Sequence, residues 1–227
     1  MAQLTPFGPG LWLLAAPLKM LGLQLGTRMT VIRLDDGSVV LHSPVVIDDT
    51  LAKEIEAIGP VRHIIAPNTF HHLYVGSARD HWPEARVYGP EALKKKRPDL
   101  RLDTYLNENA DLPFASELQP VTIDGTLFHE TVLVHKATKT LVSSDLLENF
   151  PDCDHLLTRI YLKVNGVYGK PGWSRILRLA YRDHKAARAS MNRLLALDFD
   201  RVILAHGVPV ERDAHDVIEA SYKFLDS

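Results

Sequence analysis

The stretch HIIAPNTFHHLYVGSARDHWPEARVYGP, residues 63–90, carries most of the information about the fold. The apolar run Val61–Ala66 predicts a short buried strand, which a proline ends. A loop with the adjacent histidines His71 and His72 follows, then a helical pattern over Tyr74–Trp82 and a second strand over Ala85–Tyr88. Strand, loop, helix and strand in this order are typical of an α/β fold.

Hairpin patterns on both sides of this stretch extend the prediction to the whole chain. Met29–Leu34 and Ser38–His42 are β-branched runs separated by Asp-Asp-Gly, which favours a tight turn. Further strands are predicted over 118–123, 127–135, 140–143 and 201–205, and helices over 174–197 and 214–225. We expect one domain, residues 1–227, built from two similar sheet-plus-helix halves that join near 110–117, in a layered αββα arrangement.

Composition narrows the class of protein. The chain has 227 residues, 46% of them hydrophobic, and its 26 Lys and Arg against 28 Asp and Glu give a formal charge of −2. Without a basic excess, nucleic acid is not an expected partner. The single cysteine, Cys153, excludes an internal disulfide and fits a reducing compartment, so we expect a cytoplasmic protein.

The apolar stretch Leu11–Leu25 resembles a membrane span only in composition, because Pro17, Lys19 and Gly22 interrupt it. It is predicted to be a strand followed by an irregular segment that packs on the core or forms a partner surface. No membrane span is expected, and a homodimer stays open.

Polar side chains follow three of the predicted strands. His71 and His72 come after the strand at 61–66, Asp145 after that at 140–143, and His206 after that at 201–205. Loops at one set of strand ends converge in open sheets, so these groups are expected to meet. Imidazole and carboxylate ligands suit one divalent metal, zinc first, with iron or manganese as alternatives.

The order of these segments resembles the metallo-β-lactamase fold superfamily, and within it a poorly characterised bacterial group of unknown function. The resemblance covers RMTVIRLDDGSVVLHSPV (28–45), the stretch 63–90, TLVSSDLL (140–147) and VILAHG (202–207). It implies a four-layer αββα sandwich.

The superfamily motif H-x-H-x-D-H is only partly present. Pro67 and Thr69 stand in its first two histidine places, His71 in the aspartate place and His72 in the last. Asp145 matches the family's bridging aspartate, and the final histidine corresponds to His206. The resemblance therefore implies one metal, bound by His71, His72, Asp145 and His206. Other members of the superfamily bind two metals at the corresponding place.

Two further histidines are candidates for the site. The family's hairpin histidine falls on Thr126 when the strands are aligned, and His129 lies three residues later, so His129 is either a ligand or a residue facing solvent or the core. His42 is predicted to contact the ligands rather than the metal.

Three functions stay open on this sequence. The first is a single-metal hydrolase of an ester, lactone, thioester or phosphoester, in which Asp145 is also the proton acceptor. The second is an iron-dependent oxidoreductase on the same fold. The third is a relative that has lost catalytic activity and binds a ligand or protein in what was the active-site cleft of the family. A small-molecule substrate is expected for the enzyme readings.

The segment Tyr161–Trp173 alternates aromatic residues and glycines and is predicted to be either a mobile lid or a surface loop. Lys163, Lys170 and Arg175 would favour an anionic substrate if they faced the cleft.

Overall fold

The computed structural model describes residues 3–226 as two facing β-sheets covered by helices. Within this range the first sheet has the strand order β1-β2-β5-β6-β7-β8-β9 and the second the order β10-β11-β12-β14, with β3-β4 and β13-β15 as separate pairs. The strands are β1 Thr5–Gly8, β2 Leu11–Ala16, β3 Lys19–Met20, β4 Leu23–Gln24, β5 Thr27–Arg33, β6 Val39–His42, β7 Val61–Ile65, β8 Arg86–Gly89, β9 Thr104–Tyr105, β10 Leu118–Thr122, β11 Thr131–His135, β12 Thr140–Val142, β13 Glu148–Asn149, β14 Arg201–Ile203 and β15 His206–Gly207.

The helices begin where capping residues allow. Asp48 accepts a hydrogen bond from the Leu51 amide at the start of α1, and Asp183 accepts one from the Ala186 amide at the start of α5. None of the helices in the described range is long and apolar enough to cross a membrane. Their bounds are α1 Asp49–Ile58, α2 Val75–His81, α3 Leu93–Lys96, α4 Leu156–Asn165, α5 His184–Leu195 and α6 Ala214–Ser221, with short 3₁₀ turns at Lys136–Thr138, Leu177–Ala180 and Lys223–Asp226.

Three hydrophobic clusters separate the four layers. Side chains alternate along each strand, so that in β11 Val132 and Val134 face the layer of α5 and α6 while Leu133 faces the other sheet. In β6, Val39 and Leu41 likewise face α1 and α2, and Val40 lies between the sheets. The predicted αββα sandwich is thus confirmed. Residues 110–117 connect β9 to β10, the crossing between the two sheets; the single-domain prediction stays a prediction.

Three sequence predictions of local structure were wrong. The expected helix over 174–197 is broken, because Gly125 O accepts hydrogen bonds from the amides of Arg182 and Asp183 and holds the chain extended just before α5. The expected strand over 127–135 begins only at Thr131. The proposed lid or loop over 161–173 starts with the last five residues of α4; the helix ends at Asn165, and Gly166 follows it in the left-handed conformation.

The apolar stretch at residues 11–25 divides into two parts. Leu11, Leu13 and Leu14 in β2 are buried in the core. The β3–β4 hairpin that follows instead exposes Met20 and Leu21. Core packing is therefore confirmed for the first part, and a partner surface at the second stays a prediction.

Candidate metal centre

Three side chains from three strand ends meet at one edge of the sandwich. His71 follows β7, Asp145 follows β12, and His206 begins β15 directly after β14. His71 Nε2 and His206 Nε2 each lie 3.3 Å from Asp145 Oδ1. Among the described residues these three offer donor atoms that all lie within 4.8 Å of one another. All three are largely buried.

The outer ring nitrogens of both histidines are already occupied. His206 Nδ1 lies 2.8 Å from Gly26 O and donates to it, and His71 Nδ1 lies 2.8 Å from Ser43 Oγ. These contacts turn Nε2 of each ring toward Asp145, as the outer hydrogen bonds of metal-bound histidines do. Ser43 has a φ of +55°, an uncommon backbone conformation that places its hydroxyl against His71.

Asn68 holds two of these groups at once. Its Nδ2 donates to Asp145 Oδ2 at 2.7 Å, and its Oδ1 accepts from the His71 amide at 2.8 Å. The side chain is completely buried. Asn68 was not singled out from the sequence, although an Asn three residues before a candidate ligand, at the start of a loop, was a usable signal.

Arg28 and Gly207 fix the backbone around His206. The buried Arg28 guanidinium donates from Nη1 to Leu204 O and from Nη2 to Gly207 O, the second at 2.6 Å. Gly207 has a φ of +92°, and a Cβ there would lie 1.9 Å from Asn149 O. Only glycine fits that position. Sequence reasoning missed Arg28, which lies in a β-strand far from His206 in the chain.

Two buried carboxyl groups lie behind Asp145. Glu130 accepts hydrogen bonds from the amides of Ser144 and Asp145, at 2.7 and 3.0 Å. Burial, and then the charge of Asp145, raise the pKa of Glu130. Glu148 is paired in register with His206, and burial raises its pKa to about 7; its Oε2 has no hydrogen-bond partner among the described residues. Neither acid was a sequence candidate.

The histidines set the charge of Asp145. Burial opposes its ionisation, but the charge of His71 and the hydrogen bonds from His206 and His71 outweigh burial and hold the pKa of Asp145 well below its usual range. Burial lowers the pKa of His206, yet the hydrogen bond and charge of Asp145 raise it overall. The centre therefore holds an ionised carboxylate between two imidazoles.

His72, His129 and His42 lie outside this group of three. His72 is buried and its Nδ1 accepts from Arg97 Nη1 at 3.0 Å; burial and then the charge of Lys96 lower its pKa to about 4. His129 is exposed and lines a groove of about 750 Å³ that contains none of the three. His42 is buried behind the site, its pKa lowered to about 3 by burial and then by the charge of His71.

Comparison with known families identifies the family to which the chain belongs. The family described as Domain of unknown function (DUF4336) matches residues 10–158. The chain belongs to this family. The match includes His71 and Asp145 but ends before His206, so the DUF4336 model does not cover the complete centre. No curated protein matches the sequence.

Solved structures resemble this DUF4336 protein over nearly its whole length. A metallo-β-lactamase from Pontibacter korlensis is 12% identical with a TM-score of 0.69, and all of both chains is covered. That from Erythrobacter litoralis, with β-mercaptoethanol in its active site, is 13% identical with a TM-score of 0.68, covering 97% of this chain and 96% of the other. That from Hirschia baltica is 11% identical with a TM-score of 0.68, covering 99% and 97%. The protein has the metallo-β-lactamase fold.

Proposed function

We propose that this protein is a single-metal hydrolase in which His71, Asp145 and His206 bind one divalent ion. The observation that carries the proposal is the convergence of both Nε2 atoms on Asp145 Oδ1, at 3.3 Å each. Two imidazole nitrogens and one carboxylate are a ligand set that zinc accepts in catalytic sites, with a position left for water or substrate. The centre and the fold together support a divalent metal without selecting among zinc, iron and manganese.

The side chains supply a favourable charge for this chemistry. Two neutral imidazoles and one carboxylate contribute a charge of −1, so a divalent ion would retain a net positive charge there. A divalent ion bound at the centre would supply Lewis-acid chemistry, polarising an oxygen of the substrate and lowering the pKa of a water. Asn68 and Ser43 orient the ligands before any substrate arrives.

Glu148 is better suited than Asp145 to accept a proton. The pKa of Asp145 lies well below its usual range, and its Oδ2 already accepts from Asn68 Nδ2. A carboxylate of low pKa is a weak base at neutral pH. Without metal, burial raises the pKa of Glu148 to about 7; a divalent ion at the centre would lower this pKa, so that Glu148 would be ionised and still a stronger base than Asp145. We therefore assign Asp145 to binding and the uptake of a proton to Glu148 Oε2.

The substrate class proposed is an ester, lactone, thioester or phosphoester, since each presents an electrophilic centre with an oxygen or sulfur leaving group. The replacement of two family histidines by Pro67 and Thr69 supports the single-metal form of the proposal. It is also the observation that favours a degenerate binding protein as the second candidate.

The test combines metal content with turnover. The purified protein, the His206→Ala variant and a His129→Ala control are analysed for bound metal and assayed on aryl ester, lactone, thioester and phosphoester panels. We expect about one metal per chain and measurable turnover in the wild type and in the exposed-histidine control, and loss of both in His206→Ala. Metal without turnover after reconstitution with zinc, iron and manganese would support the binding protein and contradict the hydrolase.

A further inference from the structure

Helix α4 presents large apolar side chains to solvent. Thr158, Leu162 and Asn165 are buried on its inner face. On the outer side, and just beyond its carboxyl end, six side chains are between 50% and 69% exposed: Leu156, Leu157, Ile160, Val164, Ile176 and Leu179. We call these six residues the apolar face. A contiguous exposed surface of this kind marks a site of interaction more often than a solvated one.

The segments that carry the apolar face are joined by direct contacts. The Ile176 amide donates to Asn165 Oδ1 at 3.0 Å, which places the 3₁₀ segment at the end of α4. At the other end, the Gln24 amide of the β3–β4 hairpin donates to Thr158 Oγ1 at 2.8 Å. The hairpin tip, Leu21, is 95% exposed and has a φ of +50°. A fully exposed leucine held in that conformation extends the face at a structural cost.

Basic side chains line a cavity of about 350 Å³ next to this face. Lys163, Lys170, Arg175 and Arg178 contribute the four cations of its wall, and the wall contains no carboxylate. The buried Arg178 Nε has no hydrogen-bond partner among the described residues. Asp152 lies outside this wall, where it accepts a hydrogen bond from Tyr168 Oη at 3.1 Å. A cavity with this charge fits an anion.

We propose that the apolar face and its basic cavity dock the protein on the surface of an anionic phospholipid bilayer. The arrangement is that of an interfacial helix, with apolar side chains toward the acyl chains and cations toward headgroup phosphates. The chain as a whole has a formal charge of −2, so attraction to an anionic bilayer has to come from a local group of cations such as this one.

Charge decides between a bilayer and a second copy of the chain. A two-fold dimer through the apolar face would bring the same surface of both copies together. Lys163 and Arg175 flank the face, so the dimer would gather the cations of both copies at one interface, with no carboxylate from the cavity wall to balance them. The headgroups of an anionic bilayer carry the charge opposite to that of these cations, and its acyl chains can bury the exposed leucines.

The experiment is co-sedimentation of the full chain with vesicles of phosphatidylglycerol and phosphatidylcholine at equal proportions, and with vesicles of phosphatidylcholine alone. We expect binding to the first that weakens as salt rises. A Lys163→Gln/Lys170→Gln variant should bind about 30-fold more weakly, since each basic residue near the surface contributes about as much as one Lys in a polybasic segment. A Leu157→Ser/Ile160→Ser variant should bind at least about tenfold more weakly.

Matched controls separate docking from general charge or folding effects. Lys94→Gln/Lys95→Gln makes the same change of net charge on exposed side chains of α3, and Leu127→Ser removes an apolar side chain that is 51% exposed elsewhere. Both controls should bind like the wild type, and thermal unfolding checks that every variant is folded. The proposal is overturned if the wild type does not sediment with the anionic vesicles, if the controls weaken binding equally, or if sedimentation equilibrium shows a dimer that Leu157→Ser/Ile160→Ser dissociates.

Discussion

Three substitutions around the metal centre should affect metal affinity to different extents. His206→Ala removes one of the three converging donors. Asn68→Ala leaves every donor in place but removes the hydrogen bond to Asp145 Oδ2 and the acceptor of the His71 amide. His72→Ala changes a buried histidine whose Nδ1 is occupied by Arg97 and which lies outside the converging group.

The expected order of the effects follows from those contacts. Loss of an orienting partner of a metal ligand weakens binding by about 10–100-fold, which sets the expectation for Asn68→Ala. Removal of a ligand itself should exceed that range, so we expect His206→Ala to weaken binding by more than about 100-fold. For His72→Ala we expect less than about tenfold, because the variant removes neither a converging donor nor its direct hydrogen bond.

Competition between the protein and a chromophoric chelator for Zn²⁺ measures the dissociation constants of the wild type and the three variants at one pH. The pH must be fixed because protons compete with the metal for the imidazoles. If His72→Ala weakened zinc binding as much as His206→Ala, the three-residue centre would be wrong and the four-ligand set expected from the sequence would be right. Equal affinity of all four proteins would contradict a metal centre at this place altogether.

Three further predictions concern stability. In chelator-treated protein, the contribution of Glu148 to the free energy of unfolding should fall by about 3 kcal/mol as pH rises from 4.5 to about 7, because the unfolded chain releases the Glu148 proton in that window while the folded chain retains it; urea unfolding at several pH values should show that the wild type loses this amount relative to Glu148→Gln, since the titrations of Glu130, His42 and His72 are common to both proteins. Leu133→Ala, at a completely buried position between the sheets, should lower the urea-measured stability by about 2–5 kcal/mol, whereas Leu127→Ala should change it by less than about 0.5 kcal/mol. Gly207→Ala should lower it by more than about 1 kcal/mol, since both the left-handed backbone and Asn149 O oppose a side chain; a thermal unfolding curve like that of the wild type would contradict this reasoning.

Much of the fold could be predicted because local patterns and tertiary structure agree. The turn at Asp35-Asp36-Gly37 joins β5 to β6 as its composition predicts, with Gly37 at a φ of +84°. The break in the expected helix over 174–197 could not be predicted from its apolar periodicity. It comes from hydrogen bonds that the amides of Arg182 and Asp183 donate to Gly125 O, a carbonyl distant in the chain. Such long-range bonds override local helix propensity.

Part of the candidate centre could be predicted, because it depends on where strands end. Loops after parallel strands converge, and this brought His71, Asp145 and His206 together as predicted; their roles as ligands stay a prediction. Adjacent histidines offer no indication of which ring faces the site, and only the contact with Arg97 shows where His72 points. Arg28, Glu130 and Glu148 were missed because their partners lie far away in the sequence, whereas Asn68 was missed despite a local signal, its position three residues before His71.

The hydrogen bonds from Arg28 to Leu204 O and Gly207 O have a consequence for the timing of assembly. A ribosome makes the chain from its amino end, so the strand with Arg28, the loop with His71 and the turn with Asp145 all exist before His206 has been added. Until then the nascent chain offers metal only two of the three converging donors, and Arg28 has no carbonyl partners. If the centre binds metal as proposed, stable loading is therefore expected late in the biogenesis of this protein, after β14 has joined the second sheet and β15 has paired with β13.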